Sequence, residues 1–448
     1  MELIADLPFV GGFLSSLIAF VVVLGIVVFV HEYGHYIVGR WCGIKAEVFS
    51  LGFGPRLGGW TDKRGTRWQV AALPLGGYVK FLGDADGSSR ADPDALSALS
   101  EDERAKSFHT AALWKRSLTV AAGPVANFIL SILVFAGLTI WTGIATDEPV
   151  LGEIRPVPGV ETGLQSGDRV IAINGQPVQT FADIYTIADE MLPATRLDVT
   201  VQRDGAERQV TAPYPLPAMV QAVEPLSAAQ AAGLKPGDLV LSANGVVLES
   251  FRDLRDAVEG AGDGPLAMVV RRGADEIPLS MTPRETERLL PDGTIETRRM
   301  IGVVATTLLF PETSTPAPWT ALWLGVEQTV EVVTLSLTGI KEIILGNLGA
   351  DNLQGPIGIA QVSGQSATQG VENLITIIAV ISTAIGMLNL FPIPVLDGGH
   401  LMMFGYEAIA GRPPAEVAMR IAMTIGLAMV LALMVFATYN DLMRLLLS

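Results

Sequence analysis

A chain of 448 residues that is 50% hydrophobic, with a mean hydropathy of +0.43 and a net charge of −16, is too apolar for an ordinary soluble enzyme and too acidic for a nucleic-acid binder. Its apolar residues are gathered into runs, which implies a polytopic membrane protein. The single cysteine, Cys42, excludes any disulfide within the chain.

Runs near the roughly 20 apolar residues that cross a bilayer occur four times, at 13–30, 118–142, 374–396 and 421–437. The first is flanked by Glu2 and Asp6 with no Lys or Arg, unlike a cleavable signal peptide, so it is expected to be retained. Twelve of the thirty basic residues fall within 39–116, which places that loop on the cytoplasmic side. Both termini and segment 147–317 then lie outside. That outer segment carries 14 basic against 25 acidic residues, the balance of a solvated domain.

The first run ends in His31-Glu32-Tyr33-Gly34-His35. On a helix the i, i+4 spacing turns both imidazoles to one face, where each can give a nitrogen to one zinc ion, and Glu32 can act as general base toward a water at the metal. The bland alternative is two histidines satisfied by carbonyls at a helix end. Position argues against it, because ionisable groups inside a span are costly and mark function.

Beyond the motif, Val48 to Pro55 (VFSLGFGP) and Leu73 to Lys80 (LPLGGYVK) are β-prone pieces bounded by Gly and Pro. They predict small hairpins dipping toward the site, whose free edge could pair with an extended substrate and would place Gly52 and Gly54 against it. Residues 84–106 are polar and predict a solvated segment without the residue order of a calcium loop. His109 is expected at the surface, and Cys42 is expected to pack rather than to ligate. In the second run Ala121, Ala122 and Gly123 permit close helix contact, and Asn127 needs a polar partner, so this span is expected beside the histidine helix.

The outer segment repeats itself. Residues 163–175 (GLQSGDRVIAING) recur as 233–245 (GLKPGDLVLSANG), each followed by a helical stretch (181–191; 251–258) and a strand (197–203; 266–271). The pattern resembles tandem PDZ domains, which bind extended peptide ends along a sheet edge, and the resemblance implies peptide contacts at Ile301, Gly302 and Val303. A Pro/Thr-rich linker follows. Trp319, Trp323, Val326, Val330, Val333, Leu337 and Ile340 then recur at helical spacing and predict an amphipathic helix on the membrane face, with the chain re-entering at 352–359.

Pro392 and Pro394 must break the third span, and Asp397 follows at membrane depth. A catalytic zinc keeps three protein ligands, so His31 and His35 need one more; Asp397 and His400 are equally placed on chemistry alone.

HEYGH, LGFGP, LPLGGYVK, the tandem repeats and NLFPIPVLDGGH in this order resemble the site-2 protease family of intramembrane zinc metalloproteases, nearly end to end. The resemblance implies a Zn2+ cofactor held by His31, His35 and Asp397, with Glu32 as base and His400 structural. It also implies substrate contacts at Asn389, Pro392 and Pro394; a nearby position that is asparagine in some relatives is Ala384 here. The substrate so implied is a transmembrane segment of a single-span protein, an anti-sigma factor already shortened outside, with remnant signal peptides as the alternative. A non-enzymatic PDZ adaptor with a structural zinc is the competing class, but Glu32 would be idle in it.

The expected architecture is a polytopic α-helical protein of the bacterial inner membrane with four spans, a membrane-associated β region and two extracytoplasmic PDZ-like α+β domains. Its divisions are 1–146 (two spans and β-loop), 147–215 and 216–310 (the repeats), 311–370 (linker and surface helix) and 371–448 (the last two spans). The active site faces the cytoplasmic side, and lipid but no nucleic acid is a partner.

Overall fold

Among the described residues four helices, Gly11–Trp41, Leu113–Thr142, Val371–Asn389 and Glu416–Leu447, are long and apolar enough to cross a membrane. The computed structural model describes residues 11–86, 93–157, 160–191, 196–224, 227–290 and 292–447. The chain divides into a span unit (1–138, 318–341 and 351–442) and a second unit, called the outer unit after the side expected of it (139–317, 342–350 and 443–448).

In the span unit, small residues set how closely the helices approach. A Cβ on Gly34 of the first span would collide with the Ala122 carbonyl of the second. The third span stops at Asn389, seven residues short of the expected 396, because Pro392 and Pro394 cannot donate to a continuing helix. The chain turns and starts a separate helix, Asp397–Ala410. A Cβ on Gly398 or Gly399 would strike the Leu390 or Ile393 carbonyl, so this helix sits against the turn only because both are glycine. Arg116 at the start of the second span grips Glu407 with both nitrogens, at 2.6 and 3.2 Å, and fixes the helix from its other end.

The expected small hairpins are instead two long strands, Ala46–Thr61 and Arg67–Phe81, folded back on themselves. Their register sets segments 56–61, 67–71, 48–51 and 77–81 side by side in that order. The reversal falls at Gly52 and Gly54, both left-handed with φ +87° and +84°. Phe49, Val79, Phe81, Tyr36 and Phe108 bury the inner face against the first two spans, whereas Phe53 to Thr61 are exposed. The turn is tied to the first span through Asp62, which accepts from Trp68 Nε1 (3.1 Å) and Tyr36 OH (3.3 Å).

Two polar expectations are corrected. Asp84 is buried rather than solvated, accepting from the Phe81 N–H at 2.8 Å, and His109 leaves the surface to place Nε2 2.8 Å from Asp84 Oδ1. Burial pushes the Asp84 carboxyl up, with His109 and the Phe81 N–H acting the other way. Short helices Pro93–Ala98 and Glu101–Arg104 occupy part of the segment expected to be solvated.

The amphipathic helix, Pro318–Leu345, does not simply lie on a membrane face. A Cβ on its Gly325 would meet Ile132 O and Ala136, so it packs on the second span with Trp319, Trp323 and Val330 turned outward. The expected re-entry at 352–359 is the start of helix Pro356–Gln369. Buried Asp441 of the last span caps that helix by accepting from Gly355 N and Gly358 N, at 3.0 and 2.9 Å.

In the outer unit the two repeats fold alike. Strands Gln176–Pro177, Arg169–Ile173, Leu197–Arg203 and Ala206–Ala212 form one sheet in that order; Val246–Val247, Leu239–Ala243, Leu266–Arg272 and Asp275–Met281 form the other. Asn174-Gly175 and Asn244-Gly245 make the same left-handed turn. Asp168 takes both nitrogens of Arg203, at 2.6 and 2.7 Å, and Asp238 takes those of Arg272, at 2.7 and 2.6 Å. Helices Phe181–Glu190 and Phe251–Gly260 each start in a capping box. The expected limits of the second repeat, 216–310, run too far: Leu308 and Leu309 bury themselves in the first core, and Leu309–Pro311 pairs with Leu151–Ile154. Strand closure brings the end of the segment back to its beginning.

Candidate active site

The last turns of the first span carry His31 and His35, both buried, with their Nε2 atoms 3.2 Å apart. Asp397, first residue of its helix, sends Oδ2 to 3.2 Å from His31 Nε2 and 3.5 Å from His35 Nε2. One donor atom from each lies within 4.8 Å of the other two. Asp397 Oδ2 is buried without a hydrogen-bond partner, and two imidazole nitrogens with one carboxylate oxygen is a donor set that suits zinc. The residues present therefore fit the metal that the motif implies.

Side-chain chemistry alone left Asp397 and His400 level, and the family resemblance implied Asp397; the structure brings Asp397 to the histidines and turns the His400 ring toward Phe404, with centroids 6.5 Å apart. Cys42 packs with Tyr36 and Ile44, away from the group. Asn389 ends the third span half-buried, Pro392 is exposed, and Pro394 is covered by Gly426 of the last span. Gly52 and Gly54 sit at the strand reversal, where a Cβ on Gly52 would lie 2.7 Å from Leu73 O.

The second span shapes the pocket. His35 Nδ1 donates to Thr119 O at 2.9 Å, and Asn127 Nδ2 stands 3.2 Å from His31 Nδ1. Between them, a Cβ on Gly123 would overlap His35 Nε2, so only glycine leaves the ring its place. Glu32 is half-buried against the sheet: a Cβ on Gly77 would be 2.9 Å from its Cγ. Asn127 meets the polar partner its position demanded. Gly77 and Thr119 escaped the reading of the sequence, and Gly123 was read only as a residue of close helix contact, although glycine inside a strand was a signal of close approach as well.

At the outer unit, Ile301 is buried in the second core and Gly302 is left-handed with φ +77°. Their carbonyls accept from Ala229 N (2.9 Å) and Glu224 N (2.8 Å), while Val303 pairs with Val223.

Residues 19–433 match Peptidase family M50. The chain belongs to this family. The M50 peptidase is 40% identical over 435 residues to a chain of Agrobacterium fabrum that carries a zinc-metalloprotease name, covering 96% of this chain and 97% of that one. It is 38% identical over 427 residues to a similarly named chain of Rhizobium meliloti, covering 94% and 95%. It is also 31% identical over 466 residues to Protease RseP of Yersinia pestis, covering 96% and 99%. The M50 peptidase is a zinc metalloprotease and a membrane protein.

Proposed function

We propose that His31, His35 and Asp397 hold the zinc, that Glu32 is the general base, and that the reaction is hydrolysis of a peptide bond in a transmembrane segment of a single-span protein. The observation that carries this reading is the convergence of three donor atoms from residues 31, 35 and 397, with Asp397 Oδ2 buried and otherwise unpartnered. Bound there, zinc supplies Lewis acidity toward a water and the scissile carbonyl. Glu32 takes the water's proton and returns it to the leaving amine. Its side chain is held for that exchange between the first-span helix and Gly77 of the sheet.

A membrane helix hides its carbonyls in its own hydrogen bonds, so the substrate must be unwound before it can be cut. The sheet edge at Gly77–Val79 lies beside Glu32, and strand pairing there would hold an unwound segment at the base. Asn389, Pro392, Pro394, Gly52 and Gly54 are proposed to line its path. The basic loop puts this chemistry at the cytoplasmic side of a bacterial inner membrane and the repeats outside. The repeats are proposed to be PDZ-like. Since the Ile301 and Gly302 carbonyls are already bonded, a peptide end would be received by N–H groups of 301–303.

The test uses purified, zinc-loaded protein and a shortened single-span substrate in detergent. Glu32→Gln should keep one zinc and lose cleavage. Asp397→Ala should lose zinc while His400→Ala keeps it; the reverse metal contents would move the third ligand to His400.

A further inference from the structure

Each histidine of the metal group turns its second nitrogen toward the second span, and the two partners differ in kind. His35 Nδ1 faces the Thr119 carbonyl at 2.9 Å, a group that only accepts. The proton of that ring therefore sits on Nδ1, and Nε2 keeps its lone pair. His31 Nδ1 faces a side-chain amide instead, with Asn127 Nδ2 at 3.2 Å. The other end of that amide, Asn127 Oδ1, is buried and has no hydrogen-bond partner, an expensive arrangement at membrane depth.

Packing alone does not account for this side chain. The Asn127 main chain is engaged separately, its carbonyl accepting from Ser131 Oγ and Ser382 Oγ, each at 3.0 Å. Thr119, Gly123 and Asn127 are spaced four apart, so they line one face of the second span. That face meets the two imidazoles in order: a carbonyl for His35, a gap for its ring, an amide for His31.

An imidazole that gives its Nε2 lone pair to a metal must carry its proton on Nδ1, and that proton needs an acceptor. A carboxamide holds one acceptor and two donors, and a half-turn about its Cβ–Cγ bond exchanges them. We infer that Asn127 is a positioning residue for the metal, its Oδ1 accepting from His31 Nδ1–H and so fixing the ring's tautomer and plane. This rests on the assignment of His31 to the zinc. It predicts a side chain that governs how tightly zinc is held without touching it.

The experiment measures zinc affinity in the purified full chain by competition with a chromophoric chelator. Asn127→Leu, which is similar in size and has no acceptor, should weaken zinc binding by about 10- to 100-fold. Asn127→Asp keeps an acceptor and should stay within a few-fold of the parent. His31→Ala runs beside them: zinc retained at full affinity there overturns the ligand assignment itself, not the role of Asn127 alone. With His31→Ala deficient, parental affinity in Asn127→Leu would overturn the positioning role, as would equal losses in the Leu and Asp variants. If Asn127→Leu does not fold, as judged by its thermal melt, Asn127→Ala takes its place with the same expected loss.

Discussion

Two glycines confine the reacting groups from opposite sides, and they should fail differently. Gly123 gives the His35 ring its space, and a methyl there overlaps Nε2, the atom assigned to the metal. Gly123→Ala should therefore cost zinc and activity together. Gly77 backs Glu32, and a methyl there meets Ser50 O at 2.8 Å as well as Glu32 Cγ at 2.9 Å. Gly77→Ala should leave zinc in place while turnover falls by about 100-fold with little change in KM, since a displacement of ~1 Å at a reacting group costs that much. Metal analysis and steady-state kinetics on the two variants separate the effects. A Gly77→Ala protein with parental turnover would remove the sheet from the active site. These glycines were hard to read in the sequence because what makes each indispensable is a neighbour more than forty residues away. The histidine pair was legible because a spacing of four on one helix needs no tertiary information.

Among the elements, the helix Asp397–Ala410 depends most on a remote anchor. Its first residue belongs to the metal group, and its far end is held by the Arg116–Glu407 fork. Glu407→Ala should lower stability by about 1–3 kcal/mol, read as a drop in Tm, and should lower zinc affinity as well. Arg116→Lys, made alone, should show part of the same loss, because an ammonium cannot make the paired contact. In the first outer repeat, burial acts to raise the Asp168 carboxyl, but Arg203 and the Gln165 N–H outweigh it and hold it below the usual carboxylate range. A depressed folded value means stability present above the unfolded pKa and lost as pH falls through the folded one. Melts of the parent should thus weaken below about pH 4, and Asp168→Asn should be less stable at neutral pH and flatter across the acid range. The repeats were legible because their Asn-Gly turns and the strand and helix patterns that follow are local. The β sheet was not, since residues 48–51 pair with both 67–70 and 77–80, a choice that no local pattern encodes. Asp397 and His400 are three residues apart on one helix, and which one meets the histidines depends on how that helix seats against the preceding turn, a tertiary contact at Gly398 and Gly399.

At the scale of the molecule, a zinc site able to cut unwound helices must be restricted by access, and the outer unit is the part of the chain available to restrict it. The first requirement is sidedness: cysteines placed at the exposed positions Lys63 and Asp204 should be labelled from opposite faces of the membrane. Given that, the repeats are expected to work mainly as a size filter that refuses substrates with bulky outer domains. Strand pairing shows where to excise them. Cutting between 148 and 305 would leave Leu308 and Leu309 exposed after losing their core, and would strand the partner of Leu309–Pro311. Ala145 and Thr313, by contrast, are paired neighbours on adjoining strands, so removing 146–312 and joining these two residues through a short Gly linker spans only about 5 Å. The excised protein should cleave both a shortened substrate and a full-length one that the parent refuses. Gly302→Trp, which crowds Ser227 and strains the left-handed turn at the supposed peptide loop, should leave the refusal of the full-length substrate intact in a protein whose repeats still melt as folded domains. If the excised protein is stable and zinc-loaded yet no longer cuts the shortened substrate, the repeats deliver substrate rather than exclude it, and the filter is the wrong description.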